Sequence, residues 1–534
     1  MHEKVAIKNN KTNLEAYTSS RLIPLDKSPG VRPIGIGEVI RRIVGKIVLN
    51  VIKPDILLSV GSVQLCAGQE AGCEAAIHAM NEIFLEADTD AILLVDASNA
   101  FNVINRKVLL HNIQYLCPSM STYVYNSYCV PSRLFVQGGM ELQSEEGATQ
   151  GDPLAMPEYG IGITPLLDAI KDEITSEIKQ VAFADDIGGA GSLCQLQLWW
   201  NNIERIGPLI GYYPNGAKSW LIVKPAFENE AKNIFSGTEI QITTDGLKYL
   251  DGYIGSDSGK TVYEDKKEEE WVNQLELLTT VAMHEPQAAY AVFVAGLKHR
   301  YNFFLRVLND IGPAIERIDH IINTKFLPAI LDGQQLSQLD REVIALPVRL
   351  GGLGIPIFSQ ICSTEYDNSI KISKVLTDRV INQNRQDPGP ETDQSPKHPT
   401  STRLEMLKDR NERHEKILAR LRAQMNDEQK LANELAQQKG ASAWLTALPL
   451  EAENYALNKR EFFDAVALRY RWQMKRLPIH CACGNKFSAD HAVSCLKGEY
   501  VHRRHDEVRD VIAKLLEEVT PEVSTEPTLR PLSG

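Results

Sequence analysis

The chain has 534 residues, 43% hydrophobic and 24% charged, with a net charge of −12 and nine scattered cysteines. That length holds roughly three or four domains, and the composition is that of a soluble globular protein. No run approaches the ~18 unbroken apolar residues of a membrane span, and the start MHEKVAIKNNKTN lacks the apolar core of a secretory signal. Cysteines odd in number and set in apolar segments argue for a reducing, intracellular compartment rather than a disulfide scaffold. The acidity, with a pI of about 5.6, does not exclude nucleic acid, because phosphates respond to a local basic channel.

In chain order, Leu22-Ile23-Pro24-Leu25-Asp26-Lys27 and Val31-Arg32-Pro33-Ile34 predict two strands joined by a Ser28-Pro29-Gly30 turn. Lys27 and Arg32 then lie near each other, either as solvated charges or as a point charge and a bidentate fork for a triphosphate. Ile92-Leu93-Leu94-Val95 predicts a buried strand that ends on Asp96. Small residues follow, and then Phe101, which either starts the core of a helix over 103–110 or stands against a ribose. In Glu146-Gly147-Ala148-Thr149-Gln150-Gly151-Asp152-Pro153-Leu154, glycines on either side of Thr-Gln permit a tight loop and close backbone contact with a base pair. Val181-Ala182-Phe183-Ala184 is a second buried strand, and it ends on Asp185-Asp186. Two strands delivering carboxylates into one cleft can hold two divalent cations about 4 Å apart for attack on a phosphate. The same Asp-Asp pair also suits a strand-capping turn.

Residues 1–256 alternate short strands, helices and turns; from 264 to 309 the pattern turns helical, with Trp271, Leu275, Leu278 and Val281 at spacings of three and four. There Lys298, His299, Arg300, Tyr301, Phe303, Phe304 and Arg306 either track a duplex backbone or pack their rings inward and solvate their charges. The string LPVRLGGLGI, 346–355, interrupts the helices as a rigid turn. Residues 384–402 are Pro-, Asp- and Ser-rich and read as a disordered linker. Beyond it, Leu404, Leu407, Leu418, Leu421, Met425, Ala432 and Leu435 form a broken heptad seam, which favours a helical hairpin arm over a coiled coil. Cys481, Cys483, His491 and Cys495, spaced C-x-C-x₇-H-x₃-C, make a closed tetrahedral donor set of the kind that binds structural zinc, with His480 as a substitute ligand. Around it lie Arg469, Arg471, Lys475, Arg476, Lys486, Lys497, Arg503, Arg504 and Arg509, with Tyr470 and Trp472: a locally basic, aromatic-bearing surface.

Six strings in order, RPIGIGEVIRR, LLVDASNAFN, GATQGDPLAMPEYG, FADD, NGAKSW and LKYLDGYIG, resemble the reverse transcriptases of non-LTR retrotransposons over residues 22–255. LPVRLGGLGI is also found after the polymerase core in this branch, and the cysteine cluster resembles the CCHC knuckle that precedes a restriction-like endonuclease in some of its members. The resemblance implies an α+β right-hand polymerase: fingers and palm with an antiparallel palm sheet over 1–256, and a helical thumb or connection over 257–378. It continues with a linker over 379–402, a helical arm over 403–478, a zinc knuckle over 479–510 and the start of a further domain over 511–534. The expectation is a fragment of a longer polyprotein, because 520–534 leaves no room for an endonuclease.

By the same resemblance, Asp96 and Asp185 hold two Mg²⁺ with the carbonyl of Ala97, and Asp186 stands beside them. Arg32 binds the triphosphate with Lys27 as companion, Phe101 is the steric gate, and Gln150 and Gly151 support the incoming nucleotide or template base. Lys218 protonates the pyrophosphate leaving group, and 249–255 is the primer grip. Two departures stand out: Phe183 replaces the usual tyrosine, and Asp251 falls between Leu250 and Gly252, where the family commonly has Leu-Gly. The implied activity is an RNA-directed DNA polymerase using an RNA template, a DNA primer and deoxynucleoside triphosphates in the nucleus. Two other readings stay open: an inactive fragment that only binds nucleic acid, and an RNA-dependent RNA polymerase.

Overall fold

The computed structural model describes residues 11–27, 30–171, 177–385, 399–475 and 477–525. Ser28, Pro29, Arg476, most of the expected linker and the end of the tail therefore lie outside the described residues. Among the described residues the fold is mixed α+β, with three sheets set among helices.

A four-stranded sheet of order β2-β1-β4-β5 comprises β1 (Ser20–Asp26), β2 (Val31–Gly37), β4 (Ser132–Val136) and β5 (Glu141–Ser144). Between them in sequence, β3 (Ala91–Val95) is the centre of a five-stranded sheet of order β6-β7-β3-β8-β9. Its other members are β6 (Lys179–Phe183), β7 (Asp186–Gly191), β8 (Trp220–Val223) and β9 (Gln241–Thr243). β3 pairs antiparallel with both β7 and β8. A central strand covered on both faces must be apolar throughout, which accounts for its Ala-Ile-Leu-Leu-Val composition. β7 instead carries glycines, and a Cβ on Gly189 would collide with the Trp199 ring. That helix (Leu193–Ile210) therefore lies close against the strand, and Trp199 donates its indole N–H to Gln180 at 3.0 Å. The third sheet is a hairpin, β10 (Gly246–Tyr249) and β11 (Gly252–Gly255).

The remainder is helical. Trp271, from the helix Asp257–Ala282, packs its ring against Tyr301 and Phe304, so these rings face inward. Arg306 pairs with Glu74 at 2.9 Å, while His299 and Arg300 stay exposed. The charges at 298–306 are thus divided: some are exposed, some build the fold. The helix Cys362–Ile381 enters the expected linker, and the helix Pro399–Arg422 begins before its end.

The expected helical arm packs onto the preceding helices. Leu418, Leu421 and Met425 bury themselves against Val343, Leu346 and Leu350. Asn433 donates to the Leu350 carbonyl at 3.1 Å, and Arg469 to the carbonyls of Val348 and Gly352 at 3.2 and 3.1 Å. The LPVRLGGLGI turn pairs its Leu346, Pro347 and Val348 carbonyls with its own backbone N–H groups, and Asn433 and Arg469 bring further donors to Val348, Leu350 and Gly352.

Candidate active site and metal centre

The register of the five-stranded sheet builds the site. Val95 pairs with Ile187, so Asp96, one residue beyond β3, comes level with the Asp185-Asp186 end of β7. β6 and β7 close with Phe183 opposite Asp186, leaving Ala184 and Asp185 as a two-residue loop. Ala184 sits in the left-handed region at φ 56°, an uncommon conformation for an L-residue.

The backbone around Asp96 is zipped to the segment 213–219. Its N–H donates to the Ser219 hydroxyl at 3.1 Å, its carbonyl accepts from Asn215 N–H at 2.8 Å, and Ser98 N–H donates to the Tyr213 carbonyl at 3.0 Å. Lys218 ends a short 3₁₀ turn there and is exposed. Tyr212, buried, donates its hydroxyl to the Asp185 carbonyl at 3.1 Å. Ala97 bridges to Pro214.

Charge is concentrated at this end of the sheet. Burial raises the Asp185 carboxyl; Asp96 adds to the rise, and Arg32 and Lys27 oppose it. Asp186 is pushed up to about 6 by desolvation and then by Asp185 and Asp96, with Lys248 and Arg32 opposing. Asp96 is likewise raised by burial and eased by Lys218 and Lys27. Lys27 and Arg32 come from the β1–β2 ribbon, where Leu25 pairs with Arg32 and Lys27 N–H donates to Gly30 at 3.0 Å. The structure therefore gathers Asp96, Asp185, Asp186, Lys27, Arg32 and Lys218 into one electrostatic neighbourhood. Among the described residues, the three carboxylates do not form a close group with all ligand atoms within 4.8 Å of one another.

The loop carrying Gln150 and Gly151 is fastened on several sides. Ala148 N–H donates to the Phe101 carbonyl at 2.7 Å, Thr149 N–H to the Tyr128 hydroxyl at 3.1 Å, and Gly35 N–H to the Gln150 carbonyl at 2.7 Å. Gly151 has φ +111°, and a Cβ there would run into the Gly35 carbonyl, so only glycine lets the loop close on β2. Phe101 is buried and stacks on Tyr159, with ring centroids 4.2 Å apart. The β10–β11 turn absorbs Asp251: Leu250 and Asp251, both at positive φ, make a two-residue hairpin loop between Tyr249 and Gly252.

The second centre lies at Cys481, Cys483, His491 and Cys495, whose ligand atoms are all within 4.8 Å of one another. Cys481 and Cys495 sulfurs are 3.7 Å apart, and Cys483 Sγ lies 3.1 Å from His491 Nε2. Tetrahedral zinc–thiolate bonds of ~2.3 Å separate two sulfurs by about 3.8 Å, so the group could hold a metal such as zinc. His480 lies outside this four-residue group, and its backbone forms a β-bridge with Lys486.

The basic surface expected around this centre is smaller than the sequence implies. Arg469 is buried against the 348–352 carbonyls, Arg471 pairs with Asp490 at 3.0 Å, and Lys475 pairs with Asp332 at 3.3 Å. Tyr470 stacks on Trp472 rather than standing free. Lys486, Lys497 and Arg504 remain exposed.

Three residues around the site have no role legible in the sequence, although Ser219 and Arg41 fall within the strings NGAKSW and RPIGIGEVIRR. Gln64 holds Ala184, Ser219 holds Asp96, and Arg41 holds Asp152 in an ion pair at 2.7 Å. The available signal for Gln64 is a lone amide in the apolar run Val63-Gln64-Leu65.

No family model and no curated protein matches the sequence. Among solved structures, the chain is similar to apo telomerase from Candida tropicalis truncated from its C-terminal domain, at 13% identity and TM-score 0.31, over 39% of this chain and 51% of that one. It is also similar to telomerase from Candida albicans in complex with a TWJ fragment of telomeric RNA, at 10% identity and TM-score 0.40, over 71% of this chain and 64% of that one. For apo telomerase from Candida tropicalis the figures are 11%, 0.37, 70% and 67%. The chain thus spans about half of the first of these structures and about two thirds of the others.

Proposed function

We propose that the chain is an RNA-directed DNA polymerase of the non-LTR retrotransposon kind, with fingers at β1–β2, a palm at the five-stranded sheet and a thumb in the helices after β11. The observation that carries this reading is the register that sets Asp96 level with Asp185-Asp186, facing the cationic ribbon of Lys27 and Arg32. Carboxylates held at raised pKa in one cleft are a donor set that favours divalent cations. Asp96 and Asp185, with the Ala97 carbonyl, would hold two Mg²⁺, and Asp186 stands beside them. When bound, the ions activate a primer hydroxyl and neutralise charge on phosphate oxygens.

The chain's own groups do the rest. Arg32 grips the triphosphate as a planar fork and Lys27 adds a point charge. Lys218, exposed at the cleft edge beside Asp96, delivers a proton toward the departing pyrophosphate. Gln150 and Gly151 present backbone and amide to the base pair being formed. Phe101, wedged against Tyr159, is stiff enough to exclude a ribose 2′-hydroxyl. Phe101→Val should raise UTP use relative to dTTP on the order of tenfold, the scale of a cut in a steric pocket; an unchanged ratio removes the gate role. The test of the whole reading is extension of an oligo(dT) primer on poly(rA) with Mg²⁺. Incorporation of dTTP supports it; UTP incorporation favours an RNA polymerase, and no product favours a nucleic-acid-binding protein without catalysis.

The four-ligand cluster is proposed as a structural zinc site. The unit around it leaves Ile479, Val493 and Leu496 exposed, so it has too little apolar burial to order itself. Cys483→Ala should lower bound zinc from one ion per chain to none and open 479–499 to trypsin, read by metal analysis and peptide mapping. Full zinc content in the variant would overturn the assignment.

A further inference from the structure

We propose that Gln64 and Tyr212 are positioning residues that fix the Ala184–Asp185 turn and so set where the Asp185 carboxylate stands; the inference rests on the polymerase reading. The Gln64 amide is wholly buried, and both its ends are used on one residue: Nε2 donates to the Ala184 carbonyl at 3.0 Å, and Oε1 accepts from Ala184 N–H at 2.8 Å. The surrounding backbone fixes the amide in turn. Leu65 N–H donates to the Ala182 carbonyl at 2.8 Å and Ala182 N–H to the Val63 carbonyl at 2.9 Å, so residues 63–65 run alongside β6. Helix Ala155–Ile170 closes the site, since a Cβ on Gly160 would press on the Gln64 side chain. From a different segment, Tyr212, 1% exposed, donates to the Asp185 carbonyl at 3.1 Å.

The turn needs such restraint for two reasons. Ala184 is held at φ 56°, which costs an L-residue conformational energy. Ala184 and Asp185 also lie beyond the Phe183–Asp186 pair, so the β6–β7 ladder does not itself hold them. A buried amide is suited to the task because it donates and accepts at once; leucine or methionine of similar size does neither. Two side chains from separate segments therefore spend buried hydrogen bonds on the backbone of a single two-residue loop. Displacement of a reacting group by about an ångström is enough to cost catalysis.

Gln64→Met and Tyr212→Phe separate positioning from mere support. For Gln64→Met, primer extension on poly(rA) should lose about tenfold in kcat, the effect of one hydrogen bond felt at the transition state. The KM for primer–template should stay within about twofold and the Mg²⁺ concentration for half-maximal rate should rise. Tyr212→Phe should shift the same quantities less. Hydrogen exchange of the Ala184 amide should quicken in Gln64→Met while the rest of the β6–β7 hairpin keeps its protection. A kcat and Mg²⁺ requirement equal to the parent's in both variants, or unchanged exchange at Ala184, overturns the proposal. If the parent extends no primer, the polymerase reading fails, and the exchange measurement still decides whether the turn is held by Gln64.

Discussion

Asp185→Asn should lower primer extension on poly(rA) by at least about a thousandfold while leaving the melting temperature unchanged or raised. The activity loss follows from the proposed role: losing one charged carboxylate from the set that would hold the cations removes several kcal/mol of charge stabilisation, and about 4 kcal/mol is a factor of a thousand. The stability outcome follows from the direction of the carboxyl shift. Asp185 is raised by burial and by Asp96, so its ionised form is disfavoured in the folded, metal-free chain relative to the unfolded one. A group raised in this way costs stability above its folded pKa, and a neutral amide of the same shape removes that cost. Asp96→Asn should behave alike, since Asp96 is raised by the same burial. Sites built for function commonly give up stability in this manner. Primer extension by Asp185→Asn at the parent's rate would remove Asp185 from the chemistry, and a fall in melting temperature would mean that its charge supports the fold.

Much of this site is legible along the chain because strand alternation and turn chemistry are local. Two apolar runs ending in Asp96 and Asp185, a Gly-flanked Thr-Gln loop and an Asn-Gly-Ala-Lys turn each announce their backbone within a few residues. What joins them is not local. Nothing near Gln64 in sequence says that it will meet Ala184, 120 positions on. The seam of Leu418, Leu421 and Met425 shows its periodicity but not its partner, the 343–350 segment some seventy residues earlier. Charge alone misleads in the same way. Arg469 reads as part of a basic surface, yet its guanidinium is the donor that satisfies the Val348 and Gly352 carbonyls. Burial decides which charges are structural, and burial depends on distant segments.

Glu158→Gln should make the protein more stable at pH 8 and above, with the gain vanishing near pH 4.5. Glu158 lies on the helix Ala155–Ile170 and is wholly buried. Its carboxyl is pushed up to about 8, first by burial and then by Asp152, while Arg41, Tyr128 and Arg106 pull the other way. In the unfolded chain the same group titrates near 4.3. Between those values the folded state binds a proton that the unfolded state has released, so stability falls as pH rises through the window. The glutamine has no such proton to lose, and the difference should reach a few kcal/mol once the parent's carboxyl ionises. The consequence extends to the site above. Arg41 and Asp152 pair at 2.7 Å with both side chains almost fully buried, Arg41 donates to the Thr18 carbonyl at 2.8 Å, and Asp152 caps Leu154 N–H at 2.9 Å. An ionised Glu158 competes with Asp152 for Arg41 and loosens the end of the loop that carries Gln150 and Gly151. In the parent, the KM for dTTP should therefore rise above pH 8, and in Glu158→Gln it should stay level. Melting curves and KM profiles from pH 5 to 9 that run parallel in the two proteins would show that Glu158 does not govern the loop.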